Sequence, residues 1–299
     1  MKRINLILIL FVLASLACNF GVVSPPQAGA STVTVPPVDE PPLAEPATEA
    51  VPATEAPTPI PGLARSCDKV QLVIPQGLAA DIECQLMPAQ SGEEIAPWEV
   101  TPGHVEIGFT GYTLGEKFHR PRLYVFPVID LVALQPYVAE NINEVRAILD
   151  NPAGLFDKAD LPGIHFFNAG AVFAANIATV DFLNGAGVRA LTVFGQYYAP
   201  VNNDELFYHF QGLSADGQYY LIAILPVTHP GLQADDQEGS LPASAEFPVY
   251  PGFSGADVEA EMGVYYDTTS ALLNAASPDV FSPTLTTLDA LIQSIQVAP

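Results

Sequence analysis

The sequence predicts an α+β fold for residues 63–299, a predominantly antiparallel sheet flanked by helices. Three observations carry that expectation. Four β-rich apolar runs follow closely at 176–183, 188–198, 206–211 and 218–227, with connections too short for a parallel crossover. Glycine punctuates two of the connections, Asn184-Gly-Ala-Gly187 and Leu213-Ser-Ala-Asp-Gly217, where a positive φ closes a hairpin. Apolar stripes at helical spacing then follow the meander 176–227, and helices on an antiparallel sheet make a layered α+β fold.

Before the meander, residues 70–74 and 82–87 read as short strands, the second carrying Cys84. At 104–109, Val105, Ile107 and Phe109 alternate with His104, Glu106 and Gly108, the period of a half-buried strand. Residues 123–128 form a further strand. Val138, Ile142, Val145 and Leu149 then recur at helical intervals, with Pro136 at the start, where a missing N–H costs nothing. Residues 151–164 read as an irregular loop. The last run of the meander, Tyr219-Tyr-Leu-Ile-Ala-Ile-Leu225, is apolar on both faces, so layers are expected on both sides of the sheet. Ser254 with Asp257 makes a capping-box start for a helix with the stripe Val258, Met262, Tyr265, Thr269 and Leu272. Ser282-Pro283 opens a final helix carrying Leu288, Leu291, Ile292 and Ile295. This closing pattern, Leu288-Asp-Ala-Leu-Ile-Gln-Ser-Ile-Gln-Val297, resembles the last helix and strand of the PsbP/Mog1-type sandwich. The resemblance covers a tenth of the domain and carries over no functional residue.

The amino terminus sets the expected compartment. Lys2 and Arg3 precede an uncharged apolar run from 6 to 16, and small Ala17 precedes Cys18, the layout of a secretory signal. Leu13-Ala-Ser-Leu-Ala-Cys18 resembles the lipobox of bacterial lipoproteins, with Ser15 where leucine is more usual. That resemblance implies a signal peptide at 1–17, cleavage before Cys18 and a diacylglycerol on its thiol. An uncleaved anchor and an ordinary secretory signal are the alternatives. The apolar run falls short of the roughly 20 residues of a spanning helix. All three readings place the remainder outside the cytoplasm, since basic residues hold the amino terminus inside.

Residues 18–62 read as a disordered tether. Eleven prolines lie between 24 and 62, with the near repeat Pro46-Ala-Thr-Glu-Ala50 and Pro52-Ala-Thr-Glu-Ala56, and no aromatic residue. Extended at roughly 3.1 Å per residue, such a stalk reaches on the order of 100 Å from a bilayer. Its threonines, Thr32, Thr34, Thr48, Thr54 and Thr58, suit glycosylation on composition alone.

Removing Lys2 and Arg3 from the 10 basic residues leaves 8 against 33 acidic ones, a formal charge of −25 for the mature chain. Such a balance argues against nucleic acid, which needs cations to displace its counterions, and against a polybasic grip on anionic lipid. Three cysteines are an odd count. With Cys18 given to the lipid, Cys67 and Cys84 remain as a disulfide pair in an oxidising compartment, tying the start of the domain to its second strand. Two separate thiols are the alternative.

A chemical motif is harder to find. Gly252-Phe-Ser-Gly255 and Gly212-Leu-Ser-Ala-Asp-Gly217 miss the spacing of a nucleophile elbow and read as a helix cap and a hairpin turn. His104, His119, His165, His209 and His229 lack metal-ligand spacing, and Asp235, Asp236 and Glu238 lack the order of a calcium loop. Catalytic, cofactor and metal residues are therefore assigned to none. Tyr197-Tyr198 and Tyr219-Tyr220 suit a sugar or peptide surface, against the plainer reading that one tyrosine of each pair packs inward.

Three functions compete. The first is a lipid-anchored, non-enzymatic binding or interaction domain at the cell envelope, its protein or small-molecule partner unspecified. The second is an extracytoplasmic hydrolase whose acidic and histidine residues meet only in the fold. The third, a transporter-linked solute receptor, wants two α/β lobes and finds one antiparallel domain.

Overall fold

The computed structural model describes residues 61–154 and 156–299. Cys18, the apolar run before it and nearly all of the tether lie outside the described residues. Two sheets form. The larger has seven strands in the order β3-β4-β5-β9-β8-β7-β6, antiparallel throughout. These are β3 (Asp81–Met87), β4 (His104–Thr110), β5 (Arg122–Pro127), β6 (Gly170–Phe182), β7 (Gly185–Gly195), β8 (Phe207–Ser214) and β9 (Tyr219–Pro226). The smaller sheet joins β1 (Gly62–Cys67), β2 (Val70–Pro75) and β10 (Gln296–Val297), so the two ends of the domain meet across β2.

The α+β fold with a large antiparallel sheet and flanking helices is thus present, and the meander forms β6 to β9. Both faces of its central strands are covered. On β8 and β9, Tyr208, Phe210, Leu221, Ala223 and Leu225 enter one core, while Phe207, Leu213, Tyr220, Ile222 and Ile224 enter the other, the strict alternation of a pleat. The first core lies under α3 (Val258–Ala275), α4 (Leu285–Gln293) and the small sheet. The second lies under α1 (Val128–Leu134), α2 (Val138–Asp150) and part of the connection to β6.

Several local expectations shift. The β6–β7 turn is the pair Leu183-Asn184, and Gly185 and Gly187 belong to β7. Their role is close approach: a Cβ at Gly187 would stand 2.3 Å from the Gln211 carbonyl oxygen. Gly217, at φ 70°, is the glycine that does supply a positive φ to its hairpin. Helix α3 is capped by Asp257, whose carboxylate accepts from the Ala260 N–H, and α4 by Thr284, which accepts from Thr287 N. Neither Ser254 nor Ser282 serves as a cap. Pro136 precedes the Tyr137 cap of α2. Helix α1 and strand β1 follow from no pattern read in the sequence.

Cys67 and Cys84 form a disulfide with Cα atoms 5.4 Å apart. It joins the end of β1 to the middle of β3, and therefore couples the small sheet to the edge of the large one.

Candidate aromatic cleft

Past Gly195, β7 ends and the chain runs out as Gln196-Tyr197-Tyr198-Ala199-Pro200. Tyrosines from beneath hold this segment. The Tyr266 hydroxyl accepts from Ala199 N and donates to Ala199 O, both at 2.9 Å. Tyr265 accepts from Val201 N at 2.9 Å, and Tyr250 donates to the Tyr198 carbonyl at 3.0 Å. Burial raises the Tyr265 hydroxyl to about 12 and lifts Tyr266 further, so both keep their protons at neutral pH. A protonated phenol is what allows Tyr266 to donate and accept at once. With the main chain pinned from below, Tyr197 and Tyr198 turn outward, 78% and 40% exposed.

Those two rings, with Phe253 at 62% exposure, line a cleft of about 510 Å³. Its other residues include Lys158, Val172 and Val258, from the connection before β6, from β6 itself and from the start of α3. A polar cavity of about 640 Å³ shares Lys158 and Val172 with it and continues along β6, where α3 contributes Asp267 and Ser270. The two adjoin through these shared residues as one groove, its first part lined by aromatic rings and its second by more polar groups.

Strand β6 is an edge of the large sheet, but its edge is closed to another strand. Lys158 Nζ donates to the Val172 carbonyl at 3.2 Å. The Asn274 carboxamide accepts from Asn176 N, and Asn176 Nδ2 donates to the Leu273 carbonyl at 2.7 Å. Register shifts at 171–173 and 175–178 bulge the strand, and Asn176 adopts φ 52°. Bulges and capped polar groups are how native edges avoid pairing.

The tyrosine pairs depart from the plain reading in opposite senses. Tyr197 and Tyr198 both reach solvent, whereas Tyr219 and Tyr220 are both buried. Phe253 carried no signal in the sequence beyond its place in Gly252-Phe-Ser-Gly255. Its membership of the cleft depends on α3 bringing residue 253 to residue 197.

Four of the five histidines gather elsewhere, and His229 packs apart from them against Phe247 and Phe281. His104 and His165 both pack against one ring, 4.5 and 4.9 Å from the Phe126 centroid, the first tilted and the second edge-on. His119 lies 4.6 Å from Phe207 and 5.4 Å from Phe167. His209 is buried on the same side of the sheet, with Nε2 2.6 Å from the Gln211 amide nitrogen, and Tyr208 points the other way. His165 is only 5% exposed and neither ring nitrogen has a partner. Burial lowers His119 and His165 to about 4 and His209 to about 3, keeping all three neutral. Among the described residues, no three His, Cys, Asp or Glu side chains are grouped to hold a metal ion. A smaller cavity of about 320 Å³ lies outside this layer, lined by Trp98, Tyr137 and His165.

The serine of Gly212–Gly217 takes a structural place. Ser214 Oγ donates to Asp216 and accepts from Tyr219 N within the β8–β9 hairpin. In the acidic loop, Asp235 accepts from Gln237 N, and Asp236 from the Gln237 side chain.

Comparison with protein-family models, curated proteins and solved structures returns no match to this chain. Among the described residues, no helix is long and apolar enough to cross a membrane.

Proposed function

We propose that this protein is a lipid-anchored, extracytoplasmic binding protein, fixed to the membrane through Cys18 and carrying its ligand site in the Tyr197–Phe253 cleft. One observation carries the binding assignment. Three large aromatic side chains open to solvent around a single concavity, while the backbone from Tyr198 to Val201 is held by the phenols of Tyr250, Tyr265 and Tyr266. Exposed aromatic surface of this kind is costly to leave uncovered and marks interaction sites. The Leu13–Cys18 motif, the proline-rich stalk and the Cys67–Cys84 disulfide support the envelope location, because such bonds persist in oxidising compartments. On this reading the stalk sets the reach of the cleft from the bilayer.

Intact mass of the native protein tests the anchor: cleavage before Cys18 with added diacylglycerol is expected, and Cys18→Ser should release the chain from membranes. A chain that begins at Met1 without fatty acid overturns it. For the cleft, the Cys18→Ser chain, which carries no acyl anchor, is incubated with isolated cell-envelope material from the source cells. Retention should fall at least tenfold in Tyr197→Ala and in Phe253→Ala. Retention unchanged in both would remove the cleft from the function.

A further inference from the structure

We infer that the cleft takes a neutral oligosaccharide; the inference rests on the cleft being the ligand site. The aromatic end offers broad ring faces, Tyr197 and Phe253, to an open surface, where the C–H faces of a pyranose ring can pack. The neighbouring end offers hydroxyl partners: the Asp267 carboxylate on the exposed side of α3 and the Ser270 hydroxyl one turn on. A sugar chain repeats this pair of demands, apolar faces with hydroxyl rims, along its length. The two adjoining cavities offer one of each.

Charge and backbone exclude the competitors. Lys158 is the basic side chain of the groove, and its amine is engaged by the Val172 carbonyl. The chain as a whole stands at −23, so an anionic glycan would meet repulsion without a compensating cluster of cations. A peptide that binds by strand addition takes its affinity from main-chain pairing with a sheet edge. Here β6 presents bulges, a lysine-capped carbonyl and the Asn176–Asn274 contacts in place of a free ladder. A lipid chain would require an enclosed channel, and the cleft is open.

The experiment uses the full lipidated chain in a zwitterionic, sugar-free detergent. Cellohexaose, maltohexaose, xylohexaose, mannohexaose and chitohexaose are titrated by calorimetry, and a displayed random-peptide library is panned in parallel. At least one hexaose should bind, more tightly than its disaccharide. Its affinity should fall tenfold or more in Tyr197→Ala and in Phe253→Ala, and severalfold in Asp267→Asn. Trp98→Ala, in the separate cavity, should leave it unchanged, and the melting temperatures of the cleft variants should match the parent. If no hexaose binds but selected peptides depend on Tyr197, the sugar is wrong and the cleft stands. If neither probe depends on Tyr197 or Phe253, both readings fall.

Discussion

Lys158 donates from Nζ to the main-chain carbonyl of Val172 at 3.2 Å, so the amine lining the cleft also closes the strand edge that forms its wall. Substituting Lys158→Met keeps the aliphatic stem and frees that carbonyl. The expected cost is about 1 kcal/mol, the net worth of one hydrogen bond. A second consequence is association, because the edge regains a free acceptor. Urea midpoints check the first, and sedimentation at rising concentration checks the second.

Asp289 ties α4 to the sheet. It accepts from the Tyr208 hydroxyl at 2.7 Å and sits 3.1 Å from Arg189, whose Nη1 also donates to the Asn176 carbonyl. Asp289→Ala leaves a buried phenol without its acceptor and a largely buried guanidinium without its counter-charge, and should cost about 3 kcal/mol. Tyr208→Phe keeps the ion pair and should cost about 1 kcal/mol. Equal losses in the two variants, read by denaturant unfolding, would contradict this ranking.

Acid should destabilise the domain from about pH 6.5 downward through its buried histidines. His119, His165 and His209 sit below their ordinary value of 6.5 because burial disfavours the imidazolium. Unfolded chains therefore bind more protons than folded ones between pH 6.5 and about 4, and stability rises with pH across that window. It is fully present above 6.5 and is lost as pH falls, by about 1.4 kcal/mol per unit for each histidine. Urea midpoints from pH 7 to 4 should trace the slope. His165→Phe, which places a similar ring among Phe126 and Phe166, should flatten it; an unchanged slope would remove His165 from the account.

Reduction should loosen the small sheet. The Cys67–Cys84 bond closes a loop of 17 positions, worth about 3 kcal/mol in the loop-entropy view. A lower melting temperature is expected in reductant and in the Cys67→Ser, Cys84→Ser double variant alike. Amide exchange should rise first in β1 and β3. Cys67 is buried and reports any packing loss separately from the bond itself.

The meander was legible because its causes are local: apolar runs at strand period, short connections and a glycine at φ 70° all sit within a few residues of each other. Two-sided burial of β9 followed from its own composition, Tyr219 through Leu225. Pairing of Cys67 with Cys84 was expected from an odd cysteine count with Cys18 assigned to the lipid, and the bond is present. Helix starts were less legible. Asp257 and Thr284 cap α3 and α4 in place of Ser254 and Ser282, since several residues in each stretch can accept an N–H and packing selects among them.

By itself, the sequence determined an α+β domain preceded by a proline-rich stretch, because periodicity, turn chemistry and composition act between near neighbours. Only the tertiary structure decided that β5 lies beside β9, that β10 closes on β2, and that residues 158, 172, 197 and 253 share one cleft. Those positions are separated by tens of residues and meet because two apolar faces of one sheet must each be covered. No local pattern encodes that meeting, and the aromatic site exists only through it.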